Sequence, residues 1–177
     1  MAKRNDCCEA HIVRLHRRKV LGWLQTMISK ENSVRIISGK YKSRKITFPG
    51  QSEVRPTGNR IRESLFNWIQ LEITNSRCLD LFAGSGALGI EALSRGAAIA
   101  TFIESNREAA FYIKKNLESL GATNGNLIIA EAINWLKCSK DIEPFNIVFL
   151  DPPFKANLIL GCFHLLESNH MIADNGS

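Results

Sequence analysis

From residue 77 onward, short runs of apolar residues alternate with longer stretches in which apolar positions recur every three or four residues. The runs at 77–82, 99–104, 127–130 and 145–150 predict strands, and the stretches at 86–95, 106–120, 132–138 and 156–168 predict helices. Gly96 and Gly121 stand where two of these helices would close on a left-handed cap. Apolar strands separated by helices predict an α/β fold, a parallel sheet covered on both faces. Upstream, Val34-Arg-Ile-Ile-Ser-Gly39 and the alternating residues 40–48 predict a hairpin with its turn at Ser38-Gly39. Thr57 is placed to N-cap a helix running to about Gln70, with Ile61, Leu65 and Trp68 facing inward. Earlier still, Val13, Val20, Leu24 and Met27 share one face of an interrupted amphipathic stretch, which predicts a loosely ordered helical extension. The organisation expected is an extension over 1–33, a hairpin and helix over 34–76, and an α/β domain over 77–177.

Charge sharpens that division. The net charge of +6 conceals 15 Lys and Arg against 4 Asp and Glu in residues 1–62, and 8 against 13 in residues 63–177. So basic a front favours a nucleic-acid partner over a merely solvated face. Arg35, Lys40, Lys42, Arg44 and Lys45 on the hairpin are the candidate contacts. Arg60 and Arg62 on the following helix point either to solvent or to RNA. Composition, at 45% hydrophobic and 23% charged, excludes a disordered tail or a disulfide miniprotein. No apolar run approaches the roughly 18 residues that cross a bilayer, and the amphipathic stretch lacks the cleavage site of a targeting peptide. The five cysteines are odd in number and contain no Cys-x-x-Cys, so free thiols in a reducing cytoplasm are expected. Cys7 and Cys8 lie near His11 and His16 at a spacing that matches no zinc pattern, and no metal is expected. A cytoplasmic monomer away from membranes is the resulting expectation.

The chemistry begins at Asp80-Leu-Phe-Ala-Gly84-Ser-Gly86-Ala-Leu-Gly89, a G-x-G-x-x-G between a strand and a helix. Alone, such glycines serve equally for a tight turn and close helix packing. Glu104 ends the second strand, 20 residues after Gly84, where a carboxylate can accept hydrogen bonds from both hydroxyls of a ribose. Asp80 would repel a pyrophosphate at the helix N-terminus but suits the ammonium of S-adenosylmethionine (SAM). Its other reading is an acceptor for the backbone N–H groups of the glycine turn. Glu131-Ala132 could serve an adenine, through the acid and the next N–H, or could simply begin a helix.

Asp151-Pro152-Pro153-Phe154 is the most specific feature, at the end of the fourth strand. An exocyclic amine on a base is a poor nucleophile because its lone pair is delocalised into the ring. The Asp151 carboxylate and the Pro152 carbonyl, accepting its two hydrogens, would turn that lone pair toward an electrophilic methyl group. The prolines hold Asp151 extended and remove competing donors, and Phe154 offers a face for a flipped base. Asp151 follows Asp80 by 71 residues with two strand–helix units between them, so their strands are expected to be neighbours where the strand order reverses.

These motifs, together with Arg55-Pro-Thr, Arg60-Ile-Arg-Glu-Ser-Leu-Phe-Asn67 and Gly89-Ile-Glu-Ala-Leu-Ser-Arg-Gly96, resemble the RsmD-type methyltransferases over residues 34–174. The resemblance implies a Rossmann-like class I methyltransferase fold and SAM as cofactor. It also implies methylation of the N2 amine of one guanine in small-subunit (16S) ribosomal RNA. Asp80, Gly84, Gly86, Glu104 and Glu131 would line the SAM site, with Asp151 to Phe154 holding the guanine. Residues 1–33 are extra to the family's usual start, with Met27 a sensible natural one. The family continues into three further strands beyond 156–168, so a sheet truncated at its C-terminus, with activity in doubt, is expected. Four residues do not define the base: an adenine-N6 methyltransferase shares this logic, a protein glutamine methyltransferase more often has Asn first, and a non-catalytic RNA-binding remnant is the reading from another class.

Overall fold

The computed structural model describes residues 31–50, 57–152 and 156–173. The amphipathic extension, the Cys7/Cys8/His11/His16 group, Arg55-Pro56 and Phe154 lie outside the described residues. Asn32–Ser177 form one compact unit.

Strands β1 (Glu31–Arg35) and β2 (Lys45–Pro49) pair in a two-stranded sheet, followed by helix α1 (Asn59–Trp68). The rest is β3 (Arg77–Asp80), α2 (Ala87–Ser94), β4 (Ile99–Glu104), α3 (Arg107–Leu120), β5 (Gly125–Ile129), α4 (Ala132–Cys138), β6 (Ile147–Phe149) and α5 (Ala156–Ser168). The four later strands form a parallel sheet in the order β5-β4-β3-β6. The chain thus steps outward from β3 through β4 to β5, then crosses to the other side of β3. That crossing puts Asp80 opposite Phe149, two residues before Asp151. The expected reversal of strand order is therefore present, and Gly96 (φ +103°) and Gly121 (φ +66°) are left-handed as expected.

Both sheet faces are covered. Cys78, Ala100, Phe102, Ile147 and Phe149 on one face pack with Ile36, Tyr41, Ile46, Phe66, Ile90 and Ile113. Leu79, Leu81 and Ile103 on the other pack with Leu136, Cys162 and Leu166. The hairpin and α1 thus share the core of the sheet. Three contacts fix them there besides apolar packing. Glu91 of α2 accepts from the main-chain N–H groups of Ile37 (2.8 Å) and Ser38 (3.0 Å). Ser94 accepts from Lys40 N–H (2.6 Å) and Tyr41 N–H (3.0 Å). The Asn116 amide of α3 bonds both the N–H and the C=O of Thr47, at 3.0 and 2.8 Å.

Two expectations change. The hairpin does not turn at Ser38-Gly39: a loop over 36–44 joins the strands, closed by Ile36 N–H to Arg44 C=O (3.0 Å) and Ser43 N–H to Ile36 C=O (2.9 Å). The loop lies directly on α2, and Gly39, at φ +82°, approaches so closely that a Cβ there would fall 1.8 Å from the Ser94 carbonyl oxygen. Helix α1 is capped at Gly58, without a side-chain cap, and turns a different face inward. Arg62 and Phe66 are buried, whereas Ile61 is 64% and Trp68 81% exposed. Beyond α5 the chain reaches Phe145, just ahead of β6. Phe145 donates to Met171 C=O (2.8 Å) and accepts from Ala173 N–H (2.9 Å), a parallel bridge with Ile172.

Candidate active site

The turn after β3 is built from backbone. Gly84 and Gly86 have φ of +52° and +74°, and Gly86 N-caps α2 in the left-handed conformation. Gly89 faces Phe102 of β4 so closely that a Cβ would meet the ring at 2.3 Å, so the third glycine serves helix packing. Asp80, 2% exposed, accepts from Gly89 N–H at 3.0 Å. Of its two sequence readings, the backbone-acceptor one is present in the structure. Burial pushes its pKa up to about 7, the Gly89 hydrogen bond opposes this, and the charges of Asp151 and Glu104 add to the rise. Three carboxylates therefore meet at this end of the sheet.

Glu104 is buried, with one oxygen accepting from Gly84 N–H (2.6 Å) and the other from Asn106 N–H (2.7 Å). Each carboxylate oxygen has a further lone pair beyond these bonds. Glu131 is exposed and N-caps α4, accepting from Asn134 N–H at 2.8 Å, while Ala132 is buried behind it. The helix-starting role of Glu131 is thus present in the structure, with its second oxygen unused by that cap. The segment Leu81–Ala87 carries no basic side chain.

Asp151 is exposed beyond β6, and its Oδ2 accepts from the Thr57 hydroxyl at 2.7 Å. Pro152 follows half-buried. Just behind, Phe66 of α1 packs on Phe149, ring centroids 5.7 Å apart.

Arg35, Lys40, Lys42, Arg44, Lys45 and Arg60 are exposed. The Arg35 guanidinium donates to Ser43 C=O (2.9 Å) and that of Arg44 to Ser119 C=O, contacts that hold the side chains without neutralising them. Arg62 is a correction. It is 0% exposed and pairs with Glu91 at 3.5 Å, donating also to Arg35 C=O (2.9 Å) and Asn59 Oδ1 (2.8 Å). It cannot meet RNA from there. Desolvation lowers its pKa, Glu91 opposes that, and Arg95, which donates to Glu91 at 2.9 Å, lowers it further. The signal for this network was present in the sequence: Glu91 is the sole charge among Ala87-Leu-Gly-Ile-Glu-Ala-Leu-Ser94, and a buried acid requires a cation. Thr57 was read as a cap and its link to Asp151 had no local signal.

Among the described residues no helix is long and apolar enough to cross a membrane. Nor does any cluster of three or more His, Cys, Asp or Glu there suit a metal ion. Cys78, Cys138 and Cys162 are free thiols, and burial raises the pKa of Cys78 to about 11.

Residues 34–177 match the family described as Conserved hypothetical protein 95. The chain is 49% identical over 148 residues to ribosomal RNA small subunit methyltransferase D of Buchnera aphidicola subsp. Baizongia pistaciae, covering 83% of this chain and 74% of the relative. It is 45% identical over 146 residues to the protein of that name from Escherichia coli K12, covering 82% and 73%. The solved structure of yhhF from Escherichia coli superposes with a TM-score of 0.75 at 43% identity, covering 82% of this chain and 78% of that one. With the parallel sheet and the two acidic strand ends, these likenesses place the chain in the ribosomal RNA small subunit methyltransferase D family, a family of Rossmann-like class I methyltransferases.

Proposed function

We propose that this chain, by family a SAM-dependent methyltransferase of small-subunit ribosomal RNA, methylates the exocyclic N2 amine of a guanine. The observation that carries this is the placement of Asp80 and Asp151 on the neighbouring strand ends of β3 and β6. One acid lies under a glycine turn and the other faces outward beside it.

SAM, when bound, supplies a methyl carbon made electrophilic by its sulfonium. The residues present suit it: a buried Asp80 with no cationic partner among the described residues gains from an ammonium nearby, and no basic side chain in Leu81–Ala87 awaits a pyrophosphate. Gly84 and Gly86 let the backbone approach the ligand, and Glu104 accepts from the ribose hydroxyls. Glu131 and the Ala132 N–H address the adenine. Asp151 and the Pro152 carbonyl accept the two hydrogens of the base amine, directing its lone pair at the methyl carbon, and Phe154 stacks on the base. The exposed cations Arg35, Lys40, Lys42, Arg44, Lys45 and Arg60 track the RNA backbone. We place the reaction in the cytoplasm, with the chain as a monomer.

The test is methyl transfer from labelled SAM to small ribosomal subunits lacking the modification, followed by nucleoside analysis of the labelled RNA. N2-methylguanosine is expected. N6-methyladenosine would move the proposal to adenine, and no transfer would favour a non-catalytic RNA-binding role.

A further inference from the structure

Thr57 lies one residue ahead of Gly58, the cap position of α1, and no side chain caps that helix. The Thr57 hydroxyl donates to Asp151 Oδ2, 94 residues away, at 2.7 Å. A side chain from the front of the chain thus reaches the turn after β6.

We propose that Thr57 is a positioning residue for methyl transfer, holding one oxygen of Asp151 so that the other is presented to the base amine. This rests on the role given to Asp151 above. An aspartate carboxylate rotates broadly about its last torsion, and Asp151 is exposed, so water competes for both oxygens. A hydroxyl anchored on Oδ2 restrains that rotation, and Oδ1 has no hydrogen-bond partner among the described residues. The anchor is itself fixed: α1 is packed on β6 through Phe66 and Phe149, and tied to α2 through Arg62 and Glu91. The basic front therefore does more than bind RNA, because it completes the catalytic turn. A one-ångström misplacement of a reacting group is costly in rate.

The test uses the full chain with undermethylated small subunits under single-turnover conditions. Thr57→Val, which keeps the shape and removes the hydroxyl, should slow transfer about ten- to hundredfold, as loss of a hydrogen bond to a charged group does. Its SAM affinity and its apparent affinity for subunits should stay within about twofold. Thr57→Ser should restore most of the rate, which a role in packing alone would not predict. In an Asp151→Asn background, Thr57→Val should cost much less than in the wild type. A wild-type rate for Thr57→Val, or an equal defect in Thr57→Ser, overturns the proposal while a slow Asp151→Asn leaves the role of Asp151 standing. A fully active Asp151→Asn removes both.

Discussion

The two acidic turns of the site are held by different means. At the ends of β3 and β4, Asp80 and Glu104 are buried and anchored by main-chain N–H groups of Gly89, Gly84 and Asn106. After β6, Asp151 is exposed and held by one side-chain hydroxyl from the front of the chain. Backbone donors are supplied by any sequence that adopts the turn, so the proposed cofactor side is set as soon as the sheet forms. The proposed base side is set only when the hairpin and α1 have docked. Disturbing the docking should therefore harm the second turn first, and disturbing burial should harm the first.

Glu91 is the strongest lever on docking. It accepts from two main-chain N–H groups of the hairpin loop and from Arg62 and Arg95. Glu91→Leu leaves the two loop N–H groups without their acceptor and the buried Arg62 guanidinium without its counter-charge, and should cost about 3–5 kcal/mol in denaturant unfolding. Glu91→Leu combined with Arg62→Met should recover part of that loss, since the uncompensated charge goes with its partner. A loss under about 1 kcal/mol for the single change would show that the front docks by apolar packing alone.

On the cofactor side the corresponding lever is pH. Asp80 has a folded-state pKa raised to about 7, above its ordinary 3.8, chiefly by burial. The folded protein then holds a proton that the unfolded chain releases, so stability falls as pH rises from about 4 and the loss is complete above about 7. The full span is on the order of 4 kcal/mol. Asp80→Asn keeps an acceptor for Gly89 and cannot ionise, so unfolding between pH 4 and 8 should lose this downward component. Identical pH slopes for the two proteins would mean that Asp80 is solvated more than its burial indicates.

The α/β portion was legible because its strands are apolar enough to be read without partners, and the 71-residue interval between Asp80 and Asp151 predicted adjacent strands. Helix α1 was not. A three-to-four spacing put Ile61, Leu65 and Trp68 inward, but the helix turns to bury Arg62, whose partner Glu91 lies 29 residues on. A local pattern records hydrophobicity and not the position of a buried counter-charge. Thr57 failed for a related reason: an N-cap and a tertiary hydrogen bond call for the same residue type, and only the fold decides between them.

Glu104→Ala probes the cofactor side through its ligand. It removes acceptors for Gly84 and Asn106 N–H as well as the proposed ribose contacts. SAM binding by calorimetry should weaken by roughly 1.5–3 kcal/mol, the worth of hydrogen bonds to a charged group. A Glu104→Gln variant, retaining one acceptor oxygen, should fall between. Unchanged affinity in both would assign Glu104 to the loop alone.

The smallest effect expected per residue belongs to the hairpin cations. Lys42, Arg44 and Lys45 are exposed, and the Arg44 contact with Ser119 C=O leaves its charge unneutralised. Each phosphate contact releases about one condensed counterion, so the logarithm of RNA affinity should fall with the logarithm of salt concentration. Replacing all three with Ala should make that slope shallower by up to about three while SAM affinity and unfolding stay near wild type. Arg62→Ala gives the contrast that makes the measurement decisive. Being buried and paired with Glu91, it should lose stability without altering the salt slope of the molecules that remain folded. A slope unchanged by the triple substitution, or changed equally by Arg62→Ala, would mean that the phosphates are met elsewhere on the molecule.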